Sequence, residues 1–574
     1  MKKIKSIDRI LYILIGLLFG LKLFAQNEKK VQFMGSARSV INNRNIQVNG
    51  DTVTAKRKMD GYALIDLGVN IFPNKNTEIL GMVRIKNELG GFYGANVGFD
   101  VRQLYVKGII SKAIRYQLGD INYKLTPFTF YNNDYDNLIQ HPEVFNLQKE
   151  IVNYEVFFKN NTWRQQGAAV DFALELKKYI QEIKFNGFIN RINVSDFNTI
   201  PDRFFTGGSI GIQQSKNIFV GLNYVQLYDL MGTAAIKSGY RNDVTTLNYE
   251  FKFVDNKTTS LRLSGEAGNS HANYLNDTAS PNLNGVCINT GISYLNKPSN
   301  LKLSVNYVYV EPDFRSAGAQ SKRINYDLSP STYNRYTNQQ TLRSIGLFDM
   351  VRDEKLYNTS MTGAALMSYN PTYNNAMPYG IATFNRQGLN AKINYTDKKE
   401  ILKLSLESYV LNEIIGQGTT KLKSFKTISS TAVLNLKNLM AIKNNLKITA
   451  GLSLQSTNRA SEVAYEKIDL KTSLFNAGVE FEFYKNIDIL TGIIYNQANG
   501  NELTPVRNKY TDITDYKEYK VNLNEVMLGG GLRYRFSDKI YLSALYQNYK
   551  NDNRLNKSLS YAINQFLIIY NMKF

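Results

Sequence analysis

The chain has 574 residues, 43% hydrophobic and 20% charged, with a formal net charge of +21. Tyr (39), Phe (30) and Gly (39) are abundant, Pro is sparse (11), His occurs twice, and Cys and Trp occur once each. This excludes a disulfide scaffold, a Cys/His zinc protein, a helical membrane bundle and a disordered polymer. With a mean hydropathy of −0.31, an aromatic-rich, slightly polar chain is what alternating β-strands produce.

The N-terminus opens with Lys2, Lys3, Lys5 and Arg9, then the apolar run Ile10 to Phe24, then Ala25 before Gln26-Asn27-Glu28. A charged start, an apolar middle and a small residue at the cut predict a secretory signal peptide over residues 1–25. The run is short for a membrane-spanning helix, which needs about 20 residues. Cleavage removes five basic residues and one acidic residue and leaves a net charge of +17, from 64 basic and 47 acidic residues. No later stretch is apolar for long enough to form a spanning helix.

From residue 26 onward one pattern repeats. Ala63, Ile65, Leu67, Val69 and Ile71 share a face, with Asp66, Gly68 and Asn70 on the other. Leu247/Tyr249/Phe251/Phe253, Leu301/Leu303/Val305/Tyr307/Tyr309, Phe475/Ala477/Val479/Phe481/Phe483 and Leu528/Leu532/Tyr534/Phe536 alternate with polar residues in the same way. A period of two means half-buried strands. Strands of roughly ten residues that continue to the C-terminus have the length that crosses a bilayer at a tilt.

Short breaks fall at 73–76, 110–113, 176–179, 215–217, 255–257, 296–300, 396–399, 443–445, 485–487 and 537–539. Longer polar connections fall between them, at 42–60, 88–97, 124–164, 192–204, 229–242, 268–284, 311–383, 413–429, 457–473, 498–521 and 550–560. Strict alternation of short and long predicts an all-β fold: an antiparallel transmembrane barrel of about 22 strands (range 18–24), with short periplasmic turns and long external loops. Residues 26–574 then form one domain.

Phe566, Ile568, Tyr570, Met572 and the terminal Phe574 alternate on one face. This resembles the C-terminal strand of Gram-negative outer-membrane barrels, whose last aromatic residue is read by the barrel-assembly machinery. The mature chain looks like a porin-like outer-membrane β-barrel, without the N-terminal plug of a TonB-dependent receptor. The resemblance implies residence in the outer membrane, in contact with lipid and lipopolysaccharide.

The sequence offers no catalytic, cofactor or metal constellation. His141 and His271 read as loop residues, Ser270 is merely adjacent to His271, and Cys287 falls on a polar strand face. The acidic run at 132–136 lacks the Gly and Glu of a calcium loop. Function is therefore sought on the inward faces. These carry Arg84, Lys86, Lys184, Lys252, Arg262, Lys302, Lys392, Lys403, Lys447, Arg533 and Arg535, against Asp66, Asp171, Glu175, Glu182, Glu250, Glu266, Glu407, Glu480 and Glu482. The two sets either form cross-strand ion pairs that hold the wall or guide a solute. Loop cations such as Arg315, Lys322, Arg323, Arg335, Arg343 and Arg352 are expected to meet lipopolysaccharide or solvent. Nucleic-acid binding is not expected of a membrane wall, despite the high pI.

Two function classes remain: a passive or substrate-biased diffusion channel, and a barrel whose loops dock a surface or periplasmic protein. Loop 311–383 suits a lid or a docking platform. Loop 124–164 carries Phe128, Phe130, Phe145, Leu147, Ile151, Val152, Phe157, Phe158 and Trp163, too much apolar surface to leave in water. Pro142, with Val144, Leu147 and Ile151 at helical spacing, predicts a short helix with Pro near its first turn. By position this loop is similar to the third loop of general porins, which implies an inward fold that narrows the pore; clamping a second protomer or capping the rim are the alternatives.

Overall fold

The computed structural model describes residues 30–49, 56–89, 97–131, 139–156, 165–176, 178–321, 366, 369–440, 443–508, 510 and 512–574. The predicted signal peptide lies outside them.

Alternation becomes strand throughout. The first group is β1 (Val31–Val48), β2 (Lys56–Asn74), β3 (Thr77–Glu88), β4 (Val97–Ile110), β5 (Ile114–Ile121), β6 (Gln165–Glu175) and β7 (Glu182–Asn193). Then come β8 (Asp202–Ser215), β9 (Ile218–Leu230), β10 (Gly239–Asp255), β11 (Thr259–Leu275), β12 (Leu283–Asn296), β13 (Leu301–Val310), β14 (Arg386–Thr396) and β15 (Leu402–Asn412). The series closes with β16 (Ser424–Asn435), β17 (Leu446–Arg459), β18 (Ile468–Tyr484), β19 (Ile487–Arg507), β20 (Ile513–Ser537), β21 (Ile540–Asn553) and β22 (Tyr561–Lys573). Among the described residues two α-helices accompany them, α1 (Glu143–Val156) in the loop between β5 and β6, and α2 (Leu436–Met440) in the connection between β16 and β17.

All 22 strands belong to one antiparallel sheet in which each pairs with its neighbours in sequence, and β1 pairs with β22 from Ser36↔Lys573 to Val48↔Tyr561. The sheet is a closed barrel with no free edge. The start of β1 and the end of β22 lie at the short-turn rim, where Phe574 exchanges backbone hydrogen bonds with Gly35 (3.0 Å each way). The tightest turns use residues that tolerate a positive φ, such as Asn486 (φ 66°) between β18 and β19, a conformation asparagine adopts at little cost.

Burial is inverted relative to a water-soluble protein. Ile65, Leu67, Ile71, Leu247, Val305, Phe475, Val479, Leu528 and Leu532 are exposed on the outside, while Asp66, Asn70, Glu266, Asn476 and Glu525 are buried within. Exposed aromatics ring the short-turn rim, Phe253, Phe483, Tyr484, Phe536 and Phe574 among them, as at a bilayer interface.

Several strands run further than the hydropathy pattern shows. β20 has 25 residues, about 80 Å at roughly 3.3 Å per residue, against the ten or so that a bilayer needs. Beyond the membrane both faces are polar, so alternation fades although pairing continues. The connections expected at 42–60, 229–242, 268–284 and 498–521 are shorter as a result, and the break expected at 443–445 is a longer connection containing α2. His271 is therefore a β11 residue rather than a loop residue. Its Nδ1 lies 2.7 Å from Asn284 Oδ1, and Ser270, one step along the strand, faces the other way.

Candidate functional site

Twenty-two strands spaced about 4.8 Å apart and tilted about 40° enclose a cylinder roughly 44 Å across at the backbone. Wall side chains cannot fill that width. Two loops fold into it.

The first is the loop expected to turn inward. Pro142 O accepts from the N–H groups of Phe145 and Asn146 (3.0 Å each), starting α1 with proline just ahead of its first turn, where a missing N–H costs nothing. One face of α1 carries Val144, Phe145, Leu147 and Ile151, all buried. Its 14 residues extend about 21 Å, and it runs as a chord across the sector between β18 and β4.

The start of α1 rests in a slot made by glycine. Gly478, Gly492 and Gly529 lie opposite one another on β18, β19 and β20. A Cβ at Gly478 would lie 2.3 Å from Pro142 Cβ, one at Gly492 3.0 Å from Phe145 Cε2, and one at Gly529 2.7 Å from Phe145 Cε1. The absence of side chains is what admits the helix. On the next strand Gln547 donates to Val144 O (3.4 Å). Glu143 meets Arg533 (2.8 Å), a carboxylate at the positive end of the helix dipole. On either side of the slot, Leu490, Ile494, Met527, Leu545, Ile563, Leu567 and Ile569 point inward and belong to one buried cluster with Val144, Phe145, Leu147 and Ile151.

The far end of α1 is held by arginines. The Tyr154 ring has the guanidinium carbons of Arg38, Arg84 and Arg102 at 5.3, 5.7 and 5.5 Å from its centroid. Its hydroxyl donates to Asp66 (2.6 Å) and accepts from Ser36 (2.8 Å). Glu155 pairs with Arg38 (2.6 Å) and accepts from Tyr62, while its carbonyl accepts from Arg84 (2.9 Å). Cations at a helix C-terminus are favoured by the dipole. Within α1 and its approach, the side chains of Val152, Phe157, Phe158 and Trp163 lie outside the described residues.

Residues 124–131 turn inward as well. Phe128 and Phe130 are buried, Phe130 against Phe188 (5.4 Å) and Phe205 (4.8 Å) and Phe128 against Phe314 (5.9 Å). Phe314 belongs to the second inward loop. Residues 314–321 bond to the first loop through Tyr131 N to Gly318 O (3.1 Å) and to the wall through Ala317 N to Asn242 Oδ1 (2.8 Å). Asn375 donates to Thr457 (2.9 Å) and to Glu502. The described part of loop 311–383 thus lies within the barrel and is no exposed platform; residues 322–365 lie outside the described residues. Arg315, expected in solvent or on lipopolysaccharide, is enclosed. It donates to Pro312 O (2.8 Å) and Phe314 O (2.9 Å), and burial, with Arg507 nearby, pushes its pKa down to about 10. Lys322, Arg323, Arg335, Arg343 and Arg352 lie outside the described residues.

Most of the candidate wall charges pair across strands. Arg84 chelates Asp66 through two hydrogen bonds (2.8 Å each), and Arg262 and Lys252 share Glu250 (3.2 and 3.4 Å). Arg533 binds Asp488 (2.8 Å) and Glu480 (2.5 Å), and Arg535 binds Glu482 (3.0 Å) and Asp488 (2.9 Å). Lys86 lies over the Tyr62 ring (4.6 Å), Lys184 beside Glu182 (3.0 Å), and Lys302 is exposed near a short turn. His141 is buried beside Asn476 (3.3 Å), not solvated. Among the described residues no His/Cys/Asp/Glu cluster could hold a metal ion.

Sequence reasoning did not find the glycine row or the arginine clamp. Part of the signal is present. β19 to β22 carry apolar residues on both faces, which breaks strict alternation wherever something packs against the lumen side.

The fold is that of a porin-like outer-membrane β-barrel. No family model matches the chain, and no curated protein is similar to it in sequence. Among solved structures it is similar to OpdQ of Pseudomonas aeruginosa, at 11% identity over 95% of this chain and 99% of that one, with a TM-score of 0.33. It is also similar to a BenF-like porin from Pseudomonas fluorescens Pf-5 (10% identity; 95% and 99% covered; TM-score 0.36) and to OpdL of P. aeruginosa (9%; 95% and 100%; 0.37). Likeness this distant assigns neither a solute nor a site.

Proposed function

We propose that the protein is an outer-membrane channel for the passive or substrate-biased diffusion of small hydrophilic solutes, without enzymatic activity, its bore set by α1 and the loop that carries it. The observation that supports this reading most strongly is a helix seated at both ends on the inner wall of a wide barrel, in a slot that three glycines keep open for it. A loop built to dock a partner would present that apolar face outward. The outer surface meets lipid and lipopolysaccharide, and Phe566, Ile568, Tyr570, Met572 and Phe574 face outward on β22, where the assembly machinery would read them.

Single-channel recording in planar bilayers tests the reading. The purified protein is expected to give discrete, small conductance steps. A folded barrel that conducts nothing and co-purifies with a stoichiometric surface protein would refute it.

A further inference from the structure

Charge is distributed unevenly between the two rims of the barrel. Each of the ten short connections carries lysine, thirteen in all, from Lys75 between β2 and β3 to Lys539 between β20 and β21. They contain no arginine, and their acids are Asp397, Glu400 and Asp538. The eleven long connections, though far longer, balance at eighteen basic and eighteen acidic residues. Carboxylates at the strand ends do not cancel the difference, although Asp255 pairs with Lys297 (2.6 Å). With the two strand residues on either side of each short connection included, 17 basic residues stand against 8 acidic ones. Among the described residues every short connection has an exposed lysine. These lysines lie just beyond the exposed aromatics Phe253, Phe483, Tyr484 and Phe536, and Lys178 lies over the Tyr179 ring (5.2 Å).

We infer that this lysine ring binds the anionic headgroups of phospholipids in the periplasmic leaflet and so selects the lipids that neighbour the barrel. The inference rests on the outer-membrane placement, with the short turns toward the periplasm, and not on conduction. The aromatic girdle marks the bilayer interface. A lysine a few residues beyond it stands at the level of the lipid phosphates, its apolar stem along the interface and its ammonium among the headgroups. Lipid surrounds the whole circumference, and so do the lysines. A docked protein or a cell-wall strand covers a sector or the mouth, and a charged patch would match it. The residue type agrees, since an ammonium on a flexible stem suits mobile phosphates, whereas a fixed bidentate site calls for arginine. Attraction to an anionic surface adds from turn to turn and decays within a Debye length.

Spin-label resonance of the full barrel in phosphatidylcholine vesicles tests this. Trace spin-labelled phosphatidylglycerol or phosphatidylcholine reports the motionally restricted lipid at the protein boundary. At low salt phosphatidylglycerol should be favoured about twofold or more, because the lysines act together on an anionic headgroup. The preference should collapse in about 1 M salt, where the Debye length is about 3 Å. A combined Lys257→Gln, Lys398→Gln, Lys485→Gln, Lys539→Gln variant should lose a large part of it. A Lys421→Gln, Lys471→Gln, Lys517→Gln, Lys520→Gln variant, altered at exposed lysines of the long-loop half, should keep it. No preference in the inserted wild type, an unchanged preference in the short-turn variant, or an equal loss in both variants would overturn the inference. A wild-type barrel that ignores phosphatidylglycerol and sediments with peptidoglycan would assign the ring to the cell wall instead. Failure of the membrane placement looks different, since neither label would then be restricted, and the inference would fall with it.

Discussion

Replacing Gly529 with valine probes the seat of α1 without touching the helix. Gly529 faces inward in β20, and its φ is not in the left-handed region, so the backbone accepts a branched side chain, which strands favour over glycine. The new Cβ alone would stand 2.7 Å from Phe145 Cε1 and 3.3 Å from Val144 Cγ2, and both of those side chains are at most 2% exposed. Displacing them forfeits about 1.5–3 kcal/mol for each, or about 3–6 kcal/mol together. At about 1.4 kcal/mol per tenfold, the seated population falls by roughly two to four orders of magnitude. Gly530 supplies the control. It faces outward, and a Cβ there meets nothing nearer than Leu490 O at 3.9 Å. Gly529→Val should fold as a heat-modifiable barrel in normal yield and show larger or noisier single-channel conductance, while Gly530→Val matches wild type. Conductance of a folded Gly529→Val barrel indistinguishable from that of Gly530→Val would refute the seating of α1 as the determinant of the bore.

Deleting residues 130–160 while keeping the strands should raise conductance several-fold, and an unchanged value in a well-folded deletion would reject the constriction. Asp66→Ala removes the carboxylate that Arg84 and Tyr154 share; breaking one partner of a buried pair costs about 3–5 kcal/mol, so the temperature at which the barrel loses heat-modifiable mobility should drop. Phe574→Ala removes a ring packed over Gly35 and the terminal aromatic of the closing strand, and pulse-labelled assembly should yield less folded protein than any single loop substitution; equal yields would dismiss the C-terminal signal. The secreted protein should begin near Gln26 by N-terminal mass analysis and fractionate with the outer membrane, an expectation that a soluble periplasmic pool would contradict.

The barrel was legible because its physics is local. A strand with lipid on one side must alternate, so Ile65, Leu67 and Ile71 against Asp66 and Asn70 declare their faces without reference to any other segment. The regular exchange of short and long connections gave the strand number for the same reason. Pro142 and the spacing of Val144, Leu147 and Ile151 likewise announced a helix, and the surplus of aromatic residues in its loop announced that it must be covered. What covers it was not legible. Gly478, Gly492 and Gly529 come from three separate strands and become one slot only when their registers align, and Arg38, Arg84 and Arg102 surround Tyr154 only after the barrel has closed. Buried and exposed ion pairs carry the same residue types. The tertiary structure separates them, because burial depends on which part of the wall the inward loops occupy, and no stretch of sequence records that.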